Sequence, residues 1–363
     1  MYPQLVFRLN HIEENARNVV LICQSAGINV FGVTKVTCGY PPVAWAMVRG
    51  GVAGIADSRL PNLVNLKRAG LNVPLMLLRP PSPLEAKLTV ETADISINTS
   101  LETMKILSRA ALTLGRRHKV LLAVECGDLR EGILPEKLPE LAVEVEKLKG
   151  LELLGVSANF ACLSGVLPTK ENTSLFVQAG KEVEQAIGRP LEVYSGGATV
   201  SLGLLEKGEM PRGINQLRIG EAIVCGTDTS GDRLVPGTRQ DTCILRATVL
   251  EVETKQAEDT APLGRNAFGE VTSLLETEPR KRAVLSLGRI DVDLGKISPL
   301  DKGIKIVGAS SDHLVLDVTE REVPTVVGET ISFALSYQAI LRASVSPYVE
   351  KKFTPSDYFK EGL

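Results

Sequence analysis

Up to about residue 225, short apolar runs alternate with amphipathic stretches of helical period, the pattern of repeated strand-helix units. The runs are FGVT, GIAD, LMLLR, ISIN, VLLAVE, LLGVSANF, LEVYS and QLRIG, near Val33, Ile55, Leu77, Ile97, Leu122, Val156, Val193 and Leu217. The first helix is predicted from Ile12 to Ala26. Its apolar stripe is Ile12, Ala16, Val19, Val20 and Cys23, with Asn10 as N-cap, Glu13 completing a capping box and Gly27 closing it. Pro42, Pro83, Ser100, Pro135 and Thr169 mark the starts of further helices. No two-residue hairpin pairs neighbouring runs, so eight strands predict a closed parallel (β/α)8 barrel of the TIM type, with an open doubly wound sheet as the alternative.

After about residue 236 the texture changes. CILRATVLEVET, KRAVLSLG, IKIVGAS, HLVLDVT and TISFALS alternate with period two, and no helix intervenes. That pattern predicts a separate C-terminal antiparallel β domain, dividing the chain into 1–235 and 236–363. Ala257 to Glu278 reads as a loop, and the tail from Thr354 to Leu363 as partly disordered. A length of 363 residues suits two domains.

Charge narrows the partners. Lys+Arg 41 against Asp+Glu 43 leaves a net charge of -2, so neither nucleic acid nor an anionic membrane is an expected partner. The N-terminus lacks the features of a signal peptide, and no apolar run reaches the length of a membrane span, which makes a cytoplasmic location the expectation. The six cysteines contain no CxxC pair and read as reduced thiols; with three histidines, no metal site is expected.

A TIM-type barrel builds its site at the C-terminal strand ends, often with a phosphate held after strands seven and eight. Lys35 ends the first strand, Asn98 the fourth, Asn159 the sixth, Ser195-Gly196-Gly197 the seventh and Arg218 the eighth; Arg130 follows the fifth, in ECGDLR. A lysine desolvated at a barrel mouth loses its proton more readily and becomes a nucleophile for carbonyls; a lysine reaching to solvent is the plainer alternative. The SGG turn offers unshielded backbone N–H groups to an anion, although any turn can use glycine. Arg218 needs an acceptor or an anion, and Asp57 or Glu221 could serve as an ordinary salt-bridge partner. An amine, an anion cup and a fixed cation together suggest pyridoxal phosphate.

VTKVTCG around Lys35, VECGDLREG (124–132), SANFAC (157–162), YSGG (194–197), RIGEAIVCG (218–226), SLGRIDVD (286–293), GASSDHLVLDV (308–318) and LSY (335–337) resemble the alanine-racemase family of fold-type III pyridoxal-phosphate enzymes, most closely its ornithine racemase branch. The match runs collinearly along nearly the whole chain. It implies that Lys35 binds the cofactor as a Schiff base and acts as one acid/base, with Arg218 facing the pyridine nitrogen and Arg130 reaching the phenolic oxygen. Asn159 and Gly196 would belong to the same cofactor site. Ser195, Gly220 and Glu221 would take the phosphate together with Tyr337. Asp312 would come from a partner subunit, because the family shares its sites across a head-to-tail homodimer.

Some positions depart from the family pattern. Arg289 stands where alanine racemases place the tyrosine that serves the second face, and an arginine is a poor general acid. Asp291, Asp293, His313 and a cysteine are the substitutes. Ala123 replaces a lysine that alanine racemases can carry in modified form, and Gly39 stands where a tyrosine is expected, with Tyr40 one place late. The branch resemblance and the acidic residues Asp128, Asp291 and Asp293 favour a polar or basic substrate such as ornithine or lysine. A non-catalytic pyridoxal-phosphate carrier and a decarboxylase or aldolase on the same fold are the alternatives; carriers lack the β domain.

Overall fold

The computed structural model of the chain describes residues 3–256, 264–271 and 278–355. These form two compact units, one of Leu9–Gln240 and one built from the residues on either side of it.

The first unit is a closed barrel of eight parallel strands: β2 (Asn29–Val33), β3 (Gly54–Asp57), β4 (Leu75–Leu77), β5 (Ile95–Asn98), β6 (His118–Val124), β7 (Leu151–Ala158), β8 (Val193–Ser195) and β9 (Gln216–Ile219). Each coincides with a predicted apolar run. Strands covered on both faces must be apolar throughout, and β3, β5 and β9 are buried at every position. Phe31, Val33, Ala56, Met76, Ile95, Ile97, Leu121, Ala123 and Leu154 fill the barrel. Each of these side chains larger than alanine stabilises the fold by about 1.5–3 kcal/mol.

The outer helices are α1 (Leu9–Gln24), α2 (Pro41–Arg49), α3 (Leu60–Arg68), α4 (Ala86–Thr92), α5 (Leu101–Thr113), α6 (Leu138–Glu146), α7 (Lys170–Ile187), α8 (Leu202–Glu206) and α9 (Glu221–Cys225). Ser100 and Thr169 cap α5 and α7 as predicted. The first helix corrects the sequence reading, because it begins at Leu9 and Asn10 lies inside it. The preceding strand β1 (Gln4–Arg8) runs straight into it, and Glu13 pairs with Arg17 (2.5 Å) instead of closing a capping box. Buried Asn15 fastens α1 to the barrel, donating to the carbonyls of Ile223 (3.1 Å) and Arg239 (2.8 Å) and accepting from the Arg239 N–H (2.7 Å).

His118 opens β6 with its ring buried against the Ser96 hydroxyl (2.8 Å). Burial, aided by the charge of Arg116, lowers its pKa from 6.5 to about 4. The unfolded chain therefore binds this proton more readily than the fold does, so stability should be complete above pH 6.5 and fall as pH drops towards 4. The loss should reach about 3 kcal/mol. Denaturant unfolding between pH 7 and 4 measures it, and His118→Gln should flatten the dependence; an unchanged slope in that variant would assign the acid sensitivity elsewhere.

A short antiparallel pair, β10 (Thr227–Asp228) and β11 (Arg233–Leu234), follows the barrel. The second unit is an antiparallel sheet in the order β14-β17-β12-β13-β16-β15, from β12 (Cys243–Lys255), β13 (Arg280–Leu285), β14 (Ile297–Pro299), β15 (Lys305–Ala309), β16 (Leu314–Asp317) and β17 (Thr330–Leu335). The five long alternating segments all become strands here. β1 joins this sheet, pairing antiparallel with β12 and parallel with β18 (Glu350–Thr354), so residues 3–8 lie with the β unit and the boundary falls at Gln240/Asp241 instead of 235/236. β1, β14, β18 and the helix α10 (Tyr337–Val345) were not read from the sequence; β14 is three residues long, and β18 is the charged stretch EKKFT. Of the predicted loop 257–278 only 264–271 and Glu278 are described, the former bridged at Arg265 and Val271. The disorder expected of the tail falls on 356–363, outside the described residues. Among the described residues, no helix is long and apolar enough to cross a membrane.

Candidate active site

At the C-terminal ends of the barrel strands, β2 finishes at Val33 and a short 3-10 turn begins at Lys35. The turn carries Lys35 past the strand onto the rim, where its side chain is exposed. The desolvation expected from the sequence is therefore not supplied by the barrel wall. Behind Lys35 lies Asp57, fully buried at the end of β3, accepting from the Thr34 hydroxyl (2.8 Å), the Arg59 N–H (2.8 Å) and the Asn62 amide (3.0 Å). Burial pushes the Asp57 pKa up, while these bonds and the charge of Lys35 oppose it. The network joins the residue before Lys35 to the neighbouring strand and fixes the backbone from which the amine projects.

Arg218 is buried inside the barrel. One terminal nitrogen donates to the Ser195 carbonyl (2.9 Å) and hydroxyl (2.5 Å), the other to the Ala158 carbonyl (2.6 Å) and the Asn159 side-chain oxygen (3.1 Å). All four acceptors are neutral. Neither Asp57 nor Glu221 pairs with it; Glu221 accepts instead from Thr227 (2.7 Å) and from the Thr229 N–H (2.8 Å) and hydroxyl. Burial, with the charge of Arg130 adding to it, pulls the Arg218 pKa down to about 10, which leaves the guanidinium charged at neutral pH. A fixed cation without a carboxylate thus stands in the barrel, open electrostatically to an anion or a lone pair.

Above it the turn after β8 passes Ser195, Gly196 and Gly197, and Gly220 and Glu221 begin α9. Among the described residues, the backbone N–H groups of Gly197, Ala198, Gly220 and Glu221 have no acceptor. Gly197 has φ +123°, and a Cβ there would lie 2.2 Å from the Ser201 hydroxyl, so only glycine permits this turn. The donors make an anion cradle. Ser195, expected to bind phosphate, is fully buried with its hydroxyl turned to Arg218.

Arg130 lies in the loop after β6, where Glu125 organises the turn by accepting from the N–H groups of Gly127 (2.6 Å) and Leu129 (3.2 Å). Glu131 grips the Arg130 guanidinium through both carboxylate oxygens, which raises its pKa further. Buried Asp128 sits 3.9 Å from Arg130 and takes the N–H groups of Cys162 and Leu163 (both 2.9 Å), tying this loop to the one after β7. Lys35, Arg130, Asn159, Ser195, Gly196, Arg218, Gly220 and Glu221 therefore all occupy the C-terminal end of one barrel.

The remaining predicted residues belong to the β unit. Arg289 forms a two-pronged ion pair with Glu270 (2.8 Å each), lies over the Phe268 ring (4.5 Å) and donates to the Ala309 carbonyl (3.1 Å). The Glu270 bond raises its pKa, so it is no acid at neutral pH. Asp291 is buried and accepts from the Ser346 hydroxyl (2.8 Å) and the Gly288 N–H (3.3 Å). Asp312 is exposed, taking only the Ser311 hydroxyl (2.7 Å) among the described residues, and backbone bonds hold its loop beside Arg289 and Ile290. Gly288 permits that approach, since a Cβ would lie 1.9 Å from the Ser311 carbonyl oxygen. Tyr337 opens α10, half-buried, behind the Ser336 cap.

The sequence reading missed Thr34, Asn62 and Glu125, whose work is to hold Asp57 and the 125–131 loop. Thr34 and Glu125 had one signal, a position just past a strand end, and Asn62, inside α3, had none. Among the described residues, no cluster of three or more metal-ligating side chains occurs.

Residues 7–228 match the alanine racemase N-terminal domain. The chain is 38% identical to the lysine racemase of Thermotoga maritima, over 98% of this chain and 99% of that protein. It is 35% identical to the ornithine racemase of Acetoanaerobium sticklandii, covering 97% and 99% respectively. The fold is similar to that of the alanine racemase of Streptomyces coelicolor, with a TM-score of 0.78 at 17% identity and 98% of each chain covered.

Proposed function

This chain belongs to the alanine-racemase family, and from that premise we propose that it interconverts the L and D enantiomers of a basic amino acid, lysine or ornithine, with pyridoxal phosphate as cofactor. The observation that carries the reading is the convergence at one barrel mouth of the Lys35 amine, the N–H cradle at Gly197 and Gly220, and the buried cation of Arg218. The cofactor's aldehyde, phosphate and ring nitrogen need a nucleophile, an anion site and a fixed dipole or charge, and these residues fit that demand. When bound, it supplies the electron sink that makes a Cα–H bond acidic enough to break.

The chain's own residues then divide the work. Lys35 would hold the cofactor covalently and handle the proton on one face of Cα. The backbone donors at Gly197 and Gly220 would hold the phosphate, and Asp57 with Thr34 keeps the Lys35 backbone in place. Arg218 is braced by Ser195, Ala158 and Asn159, so its charge needs no reorganisation during the reaction. Arg130, steadied by Glu131, offers its remaining N–H groups to an oxygen at the mouth. The opposite face needs a second proton carrier. Arg289 and Asp291 are both engaged within their own unit and Asp293 accepts from the Gly295 N–H (3.1 Å) and Gln338 (3.3 Å); of the exposed candidates Asp312 and His313, this reading assigns Asp312, contributed by a second copy in a head-to-tail dimer.

Two features support the basic side chain. The two relatives matched over almost their full length are a lysine racemase and an ornithine racemase. The loop from Glu125 to Glu131 carries three glutamate and aspartate side chains against one arginine, a local field that favours a cationic substrate. Incubation with single L-amino acids, read by chiral chromatography, tests this. Lysine or ornithine should exceed alanine in kcat/KM by about tenfold or more, within the reach of differential side-chain binding. Faster turnover of alanine would remove the substrate assignment and leave the racemase chemistry standing.

A further inference from the structure

At the end of the barrel opposite Lys35, a cavity of about 500 Å³ opens among residues that begin the strands: Ile95 in β5, His118 in β6, Val193 in β8 and Gln216 in β9. That volume lies within the range of small-molecule sites. Three of its polar side chains stand out. Lys119 precedes Leu121 and Ala123 by two and four residues, and both fill the barrel core, so strand alternation turns Lys119 to the interior face. Gln216 likewise precedes the inward Arg218 by two. Gln216 is 5% exposed, and its side-chain oxygen is buried without a hydrogen-bond partner. Glu192 lines the same cavity.

The cavity's other charged groups are engaged. Arg116 donates to the Val90 carbonyl (3.1 Å), Arg117 to the Leu151 carbonyl (2.8 Å), and Asp94 accepts the Leu75 N–H (2.8 Å). Among the described residues, the Lys119 ammonium and the Glu192 carboxylate have no ion pair or side-chain hydrogen bond. A TIM barrel ordinarily closes this end with packed aliphatic side chains. Here the cavity is lined by one unpaired cation and one unpaired anion, and its wall holds the Gln216 oxygen, sealed from water and without a donor, which is unfavourable.

We propose that this cavity binds a free α-amino acid as its zwitterion, the carboxylate on Lys119 and the ammonium on Glu192, with the Gln216 amide in the cavity wall turning its unpartnered oxygen to the ammonium on binding. The site is separate from the mouth and does not depend on the reaction there. Equilibrium dialysis of the wild-type chain against radiolabelled L-amino acids one at a time tests it, because racemisation leaves the label count unchanged. Labelled propionate and propylammonium serve as probes carrying one charge only. At least one amino acid should bind in an equivalent beyond the one held at the mouth. Lys119→Met and Gln216→Leu should each weaken that equivalent at least tenfold while the racemase KM stays the same. The single-charge probes should bind at least tenfold more weakly. Equal affinity for propionate would overturn the zwitterion, and an extra equivalent absent from the wild type, or unmoved by both substitutions, would overturn the site. Should Gln216→Leu fail to fold, Lys119→Met decides, since that side chain is exposed.

Discussion

Lys35→Ala should lower racemisation at least about 10³-fold and remove the visible absorbance of the lysine-linked cofactor, with no measurable loss of fold. The reasoning is local. Lys35 is exposed on the rim, and the bonds that fix its backbone are made by Thr34, Asp57, Arg59 and Asn62. Truncating an exposed side chain with no packing role changes stability by about 0.5 kcal/mol or less. Activity should therefore collapse while denaturant unfolding stays at the wild-type midpoint. Lys35→Arg should fail equally, because a guanidinium keeps its proton and cannot add to a carbonyl. The measurements are chiral chromatography of a basic amino acid, the visible spectrum before and after borohydride, and a denaturation curve. A fully active Lys35→Ala protein would end the mechanism, whichever amino acid it used.

The outcome for Lys35 also shows where sequence reading succeeds and where it stops. The eight barrel strands were legible because a parallel strand covered on both faces has to be apolar along its length, so FGVT and ISIN announce themselves. β18 was not, since EKKFT draws its place from pairing with β1 almost 350 residues away, and no local pattern encodes a partner at that distance. The same division runs through the site. Arg218 was legible as a charge on an apolar strand that needs an acceptor. What satisfies it was not: two carbonyls, a hydroxyl and an amide oxygen from β7, β8 and the residue after β7. Asn10 reads as a helix cap from residue type alone, but β1 continues directly into α1 and removes the cap position. Residue type reports the chemistry available; tertiary register decides which groups use it.

Arg218 carries the second large expectation. Arg218→Leu should reduce racemisation by about 10²–10³-fold, the scale of losing one preorganised electrostatic group. It should also cost about 1–4 kcal/mol of stability, because the Ser195 and Ala158 carbonyls and the Asn159 oxygen lose their donor inside the barrel. Two further substitutions separate charge from shape. Arg218→Lys keeps the charge and loses the fork that reaches both strands, so it should recover part of the activity and little of the stability. Arg218→Glu replaces a group that cannot surrender a proton with one that can donate it. It should raise keto-acid by-product per racemisation event, since a better electron sink prolongs the carbanion and permits its protonation elsewhere. The ratio of keto acid to inverted amino acid, measured on the same reaction mixture, is insensitive to how much protein has folded. An unchanged ratio in Arg218→Glu would assign Arg218 to holding strands together and move the control of reaction specificity to another group at the mouth.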